Sequence, residues 1–139
     1  PYGSRFVHSD PMPLPEGAIF SVQGGGIPGS DTTNQFAAHS KVGIAGLVVV
    51  PAQETHSAEF LYQLPSEVIM PLSENRYLYS LTMQSQPGVM QVEKHVTINL
   101  PSGYKATRWN PVPALVTQDS ATWIMTHLQD VRIEVEFEP

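Results

Sequence analysis

The chain has 139 residues, of which 7 are Lys or Arg and 13 are Asp or Glu, and its net charge is −6 at pH 7. Charged residues make up 14% of the chain, against about 25% in an average soluble domain. Cysteine is absent, which excludes a disulfide scaffold, a thiolate metal site and a thiol nucleophile. The acidic balance predicts that nucleic acid is not a partner, because phosphate binding needs clustered Lys and Arg.

Residues 1–31 are rich in Pro and Gly, and we expect them to form an extended arm and loop. Pro11–Pro15 is typical of polyproline-like chain, and Gly24–Gly29 is typical of a loop. Between them, Ala18–Val22 predicts a short strand. The next stretch, Asn34–Ser40, predicts a helical turn.

The remaining chain has the pattern of short strands. The predicted strands are Gly46–Val50, Ala58–Leu64, Val68–Met70, Arg76–Gln84, Val92–Leu100, Thr122–Thr126 and Val131–Phe137. Gly46–Val50 is a continuous apolar run that ends at Pro51, as in a strand covered on both faces, and Val131–Phe137 alternates with a period of two. We predict an all-β fold, an antiparallel β-sandwich of jelly-roll type at residues 32–139, with eight or nine strands and little or no helix.

The polar positions of the last strand are acidic. Glu134, Glu136 and Glu138 share one face with Arg132, and the simplest interpretation is a solvated, self-repelling face that discourages unwanted strand pairing.

No catalytic, metal-binding or cofactor-binding motif is present in the sequence. No two of its five His residues are spaced in the sequence as pairs of metal ligands are. His95 lies two residues from Glu93, and this arrangement predicts a surface ion pair. The strand–turn–helix serine motif of hydrolases is also missing. We therefore predict no catalytic residues, no metal and no cofactor. A β-barrel enzyme or small-molecule binder, with a site built from scattered His and Glu, remains the alternative.

Two aromatic residues stand in segments that look like turns. Tyr104 follows Ser102 and Gly103, and Trp109 lies between Arg108 and Asn110. The candidate ligand-binding residues are Tyr104, Lys105, Arg108, Trp109 and Asn110. Exposed rings flanked by polar groups are suited to stack on a sugar or to anchor a protein partner. The alternative is that the rings cover the mouth of the sandwich.

The segment Asn99–Lys105 resembles part of the C-terminal head domains of phage tail-fibre and baseplate receptor-binding proteins. In those heads a strand runs into a Leu-Pro-x-Gly-Tyr-Arg-Pro turn, and here Lys105 and Ala106 stand in place of Arg and Pro. The similarity extends over Val92–Val131. It implies a β-sandwich head, usually trimeric, that binds host saccharide or protein. The chain is rich in neutral polar residues and is interrupted by prolines throughout, and in this composition it is also similar to protruding domains of virus capsids.

From these features we expect a non-enzymatic attachment module on the surface of a virus or phage particle, which binds a host saccharide or protein through its loops. A carbohydrate-binding module of a larger extracellular protein is a further alternative. We expect a homo-oligomer, a trimer or dimer. No signal peptide or transmembrane segment is visible, and the longest apolar run, Val42–Pro51, is about half of what a membrane helix needs. We therefore expect no insertion into a membrane.

Overall fold

The computed structural model describes residues 1–11, 32–38, 41–50, 52–85, 92–126 and 129–139. Within them the chain is almost entirely β, with one turn of 3-10 helix at Ser66–Val68. The eleven strands are β1 (Arg5–Ser9), β2 (Asn34–Ala38), β3 (Lys41–Ala45), β4 (Phe60–Gln63), β5 (Ile69–Ser73), β6 (Arg76–Met83), β7 (Glu93–Asn99), β8 (Lys105–Asn110), β9 (Leu115–Val116), β10 (Ser120–Thr126) and β11 (Val131–Glu138). The chain divides into two compact units, Pro1–Ser66 (unit 1) and Glu67–Pro139 (unit 2).

The described part of unit 1 contains two antiparallel strand pairs. Strand β1 pairs with β4, and β2 pairs with β3. In the second pair Phe36 lies opposite Gly43, and its ring occupies the space that a Gly43 side chain would need. None of the described residues of unit 1 is buried. Two-stranded ribbons bury little apolar surface, so the core of the described chain lies in unit 2.

Unit 2 is an antiparallel β-sandwich, as the sequence predicts. One sheet has the order β5-β6-β11-β8 and the other has the order β7-β10-β9. Strand β10 of one sheet and strand β11 of the other each contribute alternate residues to a shared core. The resulting core consists of Ala121, Trp123, Met125, Ile133, Val135 and Phe137. The period of two in Val131–Phe137 is therefore confirmed. The jelly-roll strand order stays a prediction.

The interpretation of the acidic face of β11 is wrong. Strand β11 is not an edge, because it pairs with β6 on one side and β8 on the other. Only 15% of the Glu136 side chain is exposed, and its carboxylate accepts hydrogen bonds from Arg76 (2.6 Å) and Arg108 (3.1 Å). Arg76 lies on β6 and Arg108 on β8, the two strands that flank β11. The Glu136 carboxylate therefore links three neighbouring strands by ion pairs, and it does not serve to repel an approaching strand.

Two predictions fail in the middle of unit 1. The helical turn expected at Asn34–Ser40 is strand β2, which pairs with β3 along all five of its residues. The strand expected at Gly46–Val50 is irregular chain whose valines are exposed, Val50 by 55%. Strand β3 ends at Ala45, and soon afterwards the Leu47 amide donates to the Thr32 hydroxyl (2.9 Å) instead of a neighbouring strand.

Two further corrections concern unit 2. Strand β5 continues through Pro71, where the sequence predicts an end, because β5 lies at the sheet edge and proline is tolerated there. The segment after Tyr104, expected to be turn-like around Trp109, forms strand β8. Five of the eleven strands in the described chain, β1, β2, β3, β8 and β9, are not among the predicted strands, which is why the number exceeds eight or nine.

The predicted boundary at residue 31 differs from the observed division after Ser66. Strand β1, within the predicted arm, is paired with β4. The predicted strand Ala18–Val22 and the glycine-rich loop Gly24–Gly29 lie outside the described residues.

Candidate functional site

An open pocket of about 570 Å³ lies where two turns of unit 2 meet. One turn connects β7 to β8 and the other connects β9 to β10. The pocket is lined by Leu100, Ser102, Gly103, Tyr104, Lys105, Gln118 and Asp119. Hydroxyl, amide, ammonium and carboxylate groups thus surround a pocket that also has an aliphatic and an aromatic wall. This mixture is typical of binding sites that orient a small polar ligand.

The first turn depends on the conformation of Gly103. The Tyr104 amide donates to the Pro101 carbonyl (3.0 Å), and Gly103, the third residue of this four-residue turn, has φ of +86°. A positive φ at this position is the requirement of a type II turn, and glycine adopts it without steric cost. The turn therefore presents Ser102 and Tyr104 at the pocket with little freedom in the backbone.

The second turn is held by its own side chains and is tied to the first. The Thr117 hydroxyl donates to the Asp119 carboxylate (3.0 Å) and accepts from the Ser120 amide (3.1 Å). The Leu100 amide donates to the Asp119 backbone carbonyl (2.7 Å). This bond connects the two turns directly, so the two walls of the pocket hold a fixed spacing.

The Tyr104 ring is half-buried rather than fully exposed. It packs edge-on against Tyr77 and Phe137, with ring centroids 6.0 Å and 5.8 Å away. Tyr104 thus lines the pocket while it also packs against the core residue Phe137. Because this packing fixes the position of the Tyr104 side chain, the ring loses little conformational entropy when a ligand binds against it.

Trp109 does not reach the pocket. It faces inward opposite Val135 and packs edge-on against Trp123, with ring centroids 5.7 Å apart. The Trp123 indole N–H in turn donates to the Pro111 carbonyl (2.9 Å). The Trp109 ring is therefore partly buried against the core rather than exposed for stacking, and whether it covers the mouth of the sandwich stays a prediction.

The other predicted residues fall into two groups. Lys105 lines the pocket, as Tyr104 does. Arg108 and Asn110 lie instead on the outer face of the four-stranded sheet, within 3.1 Å of Glu136 and 3.5 Å of Glu134. The prediction missed Gln118 and Asp119, although the Thr-Gln-Asp-Ser sequence is typical of a polar turn.

Two of the three histidines in the described part of the chain, His56 and His95, lie beside a nearby Glu. The His95 ring nitrogen lies 2.6 Å from the Glu93 carboxylate, and both side chains are largely exposed, as predicted. His56 lies 2.9 Å from Glu54. Among the residues that the structure describes, no group of three His, Asp or Glu is placed to hold a metal ion.

The chain matches no protein-family model, no curated protein and no solved structure. Within the described ranges, no helix has the length and apolar character required to cross a membrane.

The conformation of Gly103 leads to a test of the pocket turn. We expect Gly103→Ala to lower the free energy of unfolding by about 1 kcal/mol, because an L-residue is strained at positive φ. No atom lies close to an added Cβ, so no steric clash adds to the backbone strain. Gly103→Asn is the control, since asparagine tolerates this conformation, and it should cost less than alanine in urea unfolding. Equal losses for both variants would contradict the turn assignment.

Proposed function

We propose that the chain is a non-enzymatic attachment module on the surface of a virus or phage particle. In this proposal the pocket between the β7–β8 and β9–β10 turns binds a host saccharide. The observation that carries the proposal is the position of this pocket, where Tyr104 and Lys105 stand beside Ser102, Gln118 and Asp119. Neutral hydroxyl and amide groups around an aromatic ring match the alternating polar and apolar faces of a sugar ring.

The location on loops supports a recognition function. Loops at one end of a rigid sandwich vary without disturbing the core, and binding residues are therefore often found there. A symmetric trimer or dimer would present several copies of the pocket, and multivalency would convert weak contacts into strong attachment. A host protein is the second ligand class that such a surface suits.

The alternative of a site built from scattered His and Glu has no supporting geometry in the described ranges. His56 and His95 each contact a Glu two positions away on the same segment, and the pocket lining includes neither residue type. A carbohydrate-binding module of a larger protein would use the same pocket. It differs from the proposal only in the polypeptide to which the chain belongs.

Filling the pocket tests the proposal. Ser102→Trp places a large side chain at the pocket wall, and we expect it to weaken glycan binding at least about tenfold, which corresponds to a loss of about 1.4 kcal/mol. The matched control is Thr126→Trp, an exposed residue at the opposite end of β10. A glycan array identifies the ligand, and titration calorimetry of both variants measures its affinity.

Two results would contradict the proposal. One is the absence of any glycan signal for the unchanged chain. The other is an equal affinity of the Ser102→Trp and Thr126→Trp variants for the glycan that the unchanged chain binds.

A further inference from the structure

A second surface of unit 2 concentrates positive charge in an otherwise acidic chain. Four of the seven Lys and Arg residues lie on the outer face of the four-stranded sheet. We call this surface the basic face, and its cations are Arg76, Lys105, Arg108 and Arg132. Three carboxylates, Glu134, Glu136 and Glu138, contact these cations. One positive charge is therefore in excess within this cluster, whereas the whole chain carries −6.

A β-bulge brings two of the cations to the same face. In the pairing of β8 with β11, Glu136 lies opposite Arg108 but Phe137 lies opposite Ala106, so Thr107 is the extra residue. Residues three apart in a regular strand point to opposite faces. With the bulge, Lys105 contacts Glu138 and Arg108 contacts Glu136 on the outer face. Bulges often redirect side chains at functional positions in this way.

The two arginines around Glu136 are held in position and remain accessible. Arg76 donates to one oxygen of the Glu136 carboxylate and Arg108 donates to the other. Only 15% of the Glu136 side chain is exposed. The Arg108 side chain, by contrast, is 71% exposed, and that of Arg76 is 48% exposed. A guanidinium has five N–H donors in a planar fork, and each of these two arginines uses one in its bond to Glu136. A carboxylate partner can accept from such a fork through both of its oxygens.

We infer that the basic face binds the carboxylate of an acidic saccharide between Arg76 and Arg108. Arg76 on β6 and Arg108 on β8 converge over β11, because both guanidiniums donate to the Glu136 carboxylate (2.6 Å and 3.1 Å), so one ligand carboxylate can lie near both. Glu136 positions both guanidiniums before the ligand arrives, which lowers the ordering cost of binding. The choice of a saccharide rests on the proposed function, whereas the requirement for a carboxylate rests on the arginines alone.

The probe pair is an oligogalacturonate and its fully methyl-esterified form, which has the same sugars without the negative charge. We expect the unchanged chain to bind the acid form at least about tenfold more tightly than the ester, since the ester cannot form charge-assisted hydrogen bonds. Sialyllactose compared with lactose provides a second pair, and it shows whether a sialic acid serves better than a uronic acid. The full chain is titrated with each probe at low and at physiological salt.

Charge-removing variants locate the site. Arg76→Gln and Arg108→Gln are each expected to weaken binding of the acid form about tenfold, as for the loss of one hydrogen bond between charged groups. Lys41→Gln in unit 1 removes the same charge and should leave the affinity unchanged. Arg132→Gln, on the same face but paired with Glu134 and Ser80, should have a smaller effect than either site variant.

Glu136→Gln separates recognition from a purely structural ion pair. The variant keeps one side-chain oxygen that can accept from an arginine but loses the negative charge. Its unfolding midpoint should therefore fall, because the ion pairs between the strands are weakened, and it should bind the acid form more tightly, because the excess positive charge rises from one to two. A structural role alone would lower stability with no gain in affinity, and that result would overturn the inference. Equal binding of the acid and ester probes, or equal losses for Lys41→Gln and Arg108→Gln, would overturn it too.

The outcomes for this surface and for the pocket are distinguishable. Ser102→Trp fills the pocket and should not change binding of the oligogalacturonate between Arg76 and Arg108, because neither arginine lines the pocket. Lys105 is the residue that the pocket and the basic face share. If neutral glycans bind and the acid probe does not, the proposed function stands and this inference fails. If the acid probe binds and Ser102→Trp has no effect on any glycan, the inference stands and the pocket proposal fails.

Discussion

Replacing Trp123 by alanine is expected to lower the free energy of unfolding of the chain by about 3–5 kcal/mol, the range typical for removing a buried aromatic side chain. Only 1% of Trp123 is exposed, and it packs in the core of unit 2 against the ring of Trp109. Its indole N–H also donates to the Pro111 carbonyl, which would lose this partner. Urea unfolding followed by circular dichroism measures the change.

The adjacent residue supplies the control for this prediction. Ile124 points to the other face of β10 and is 53% exposed. We expect Ile124→Ala to change the free energy of unfolding by less than about 0.5 kcal/mol, as for ordinary surface substitutions. A loss of similar size at Trp123 and Ile124 would contradict the assignment of the two faces of β10.

A carboxylate placed at Val135 is expected to unfold unit 2 at neutral pH. Val135 is completely buried at the centre of β11, between Tyr79 of β6 and Trp109 of β8. An ionised aspartate in this position has no cation within the core to pair with, and the penalty is several kcal/mol. The Val135→Asp variant should therefore lack the cooperative unfolding transition that the unchanged chain shows.

The matched control introduces aspartate at the preceding position, Glu134, where the side chain is not in the core. Glu134 lies on the outer face and pairs with Arg132 (3.0 Å). We expect Glu134→Asp to retain the fold and to cost less than about 1 kcal/mol, since surface ion pairs contribute little. A folded Val135→Asp variant would contradict the inward direction of Val135 and with it the register of β11.

The sequence predicts the elements of the fold where a strand is regular and has one buried face. Val131–Phe137 shows this most clearly, because each apolar residue faces the core and each polar residue faces outward. Arg76–Gln84 and Val92–Leu100 were predicted within one residue of β6 and β7. The failure at Gly46–Val50 shows the limit of this reasoning, since a β-branched run has strand propensity whether or not a neighbouring strand pairs with it.

The candidate site was predicted only in part, for two physical reasons. The bulge at Thr107 makes Ala106 and Trp109 both face the core, so the segment lacks the alternation that identifies a strand and resembles a turn instead. The pocket also combines residues from two turns that are 14 positions apart in the sequence, between Tyr104 and Gln118. The pairing of β7 with β10 and the hydrogen bond from Leu100 to Asp119 bring these turns together, and a single sequence does not show which strands pair.

The measurement that tests the central claim most directly is amide hydrogen exchange of the full chain with and without the glycan that binds most strongly on the array. The claim is that recognition takes place at the pocket between the two turns of unit 2. We predict slower exchange at residues 102–105 and 117–119 and unchanged exchange in the β2–β3 pair of unit 1. Protection confined to unit 1, or to the exposed edge strand β5, would contradict the account.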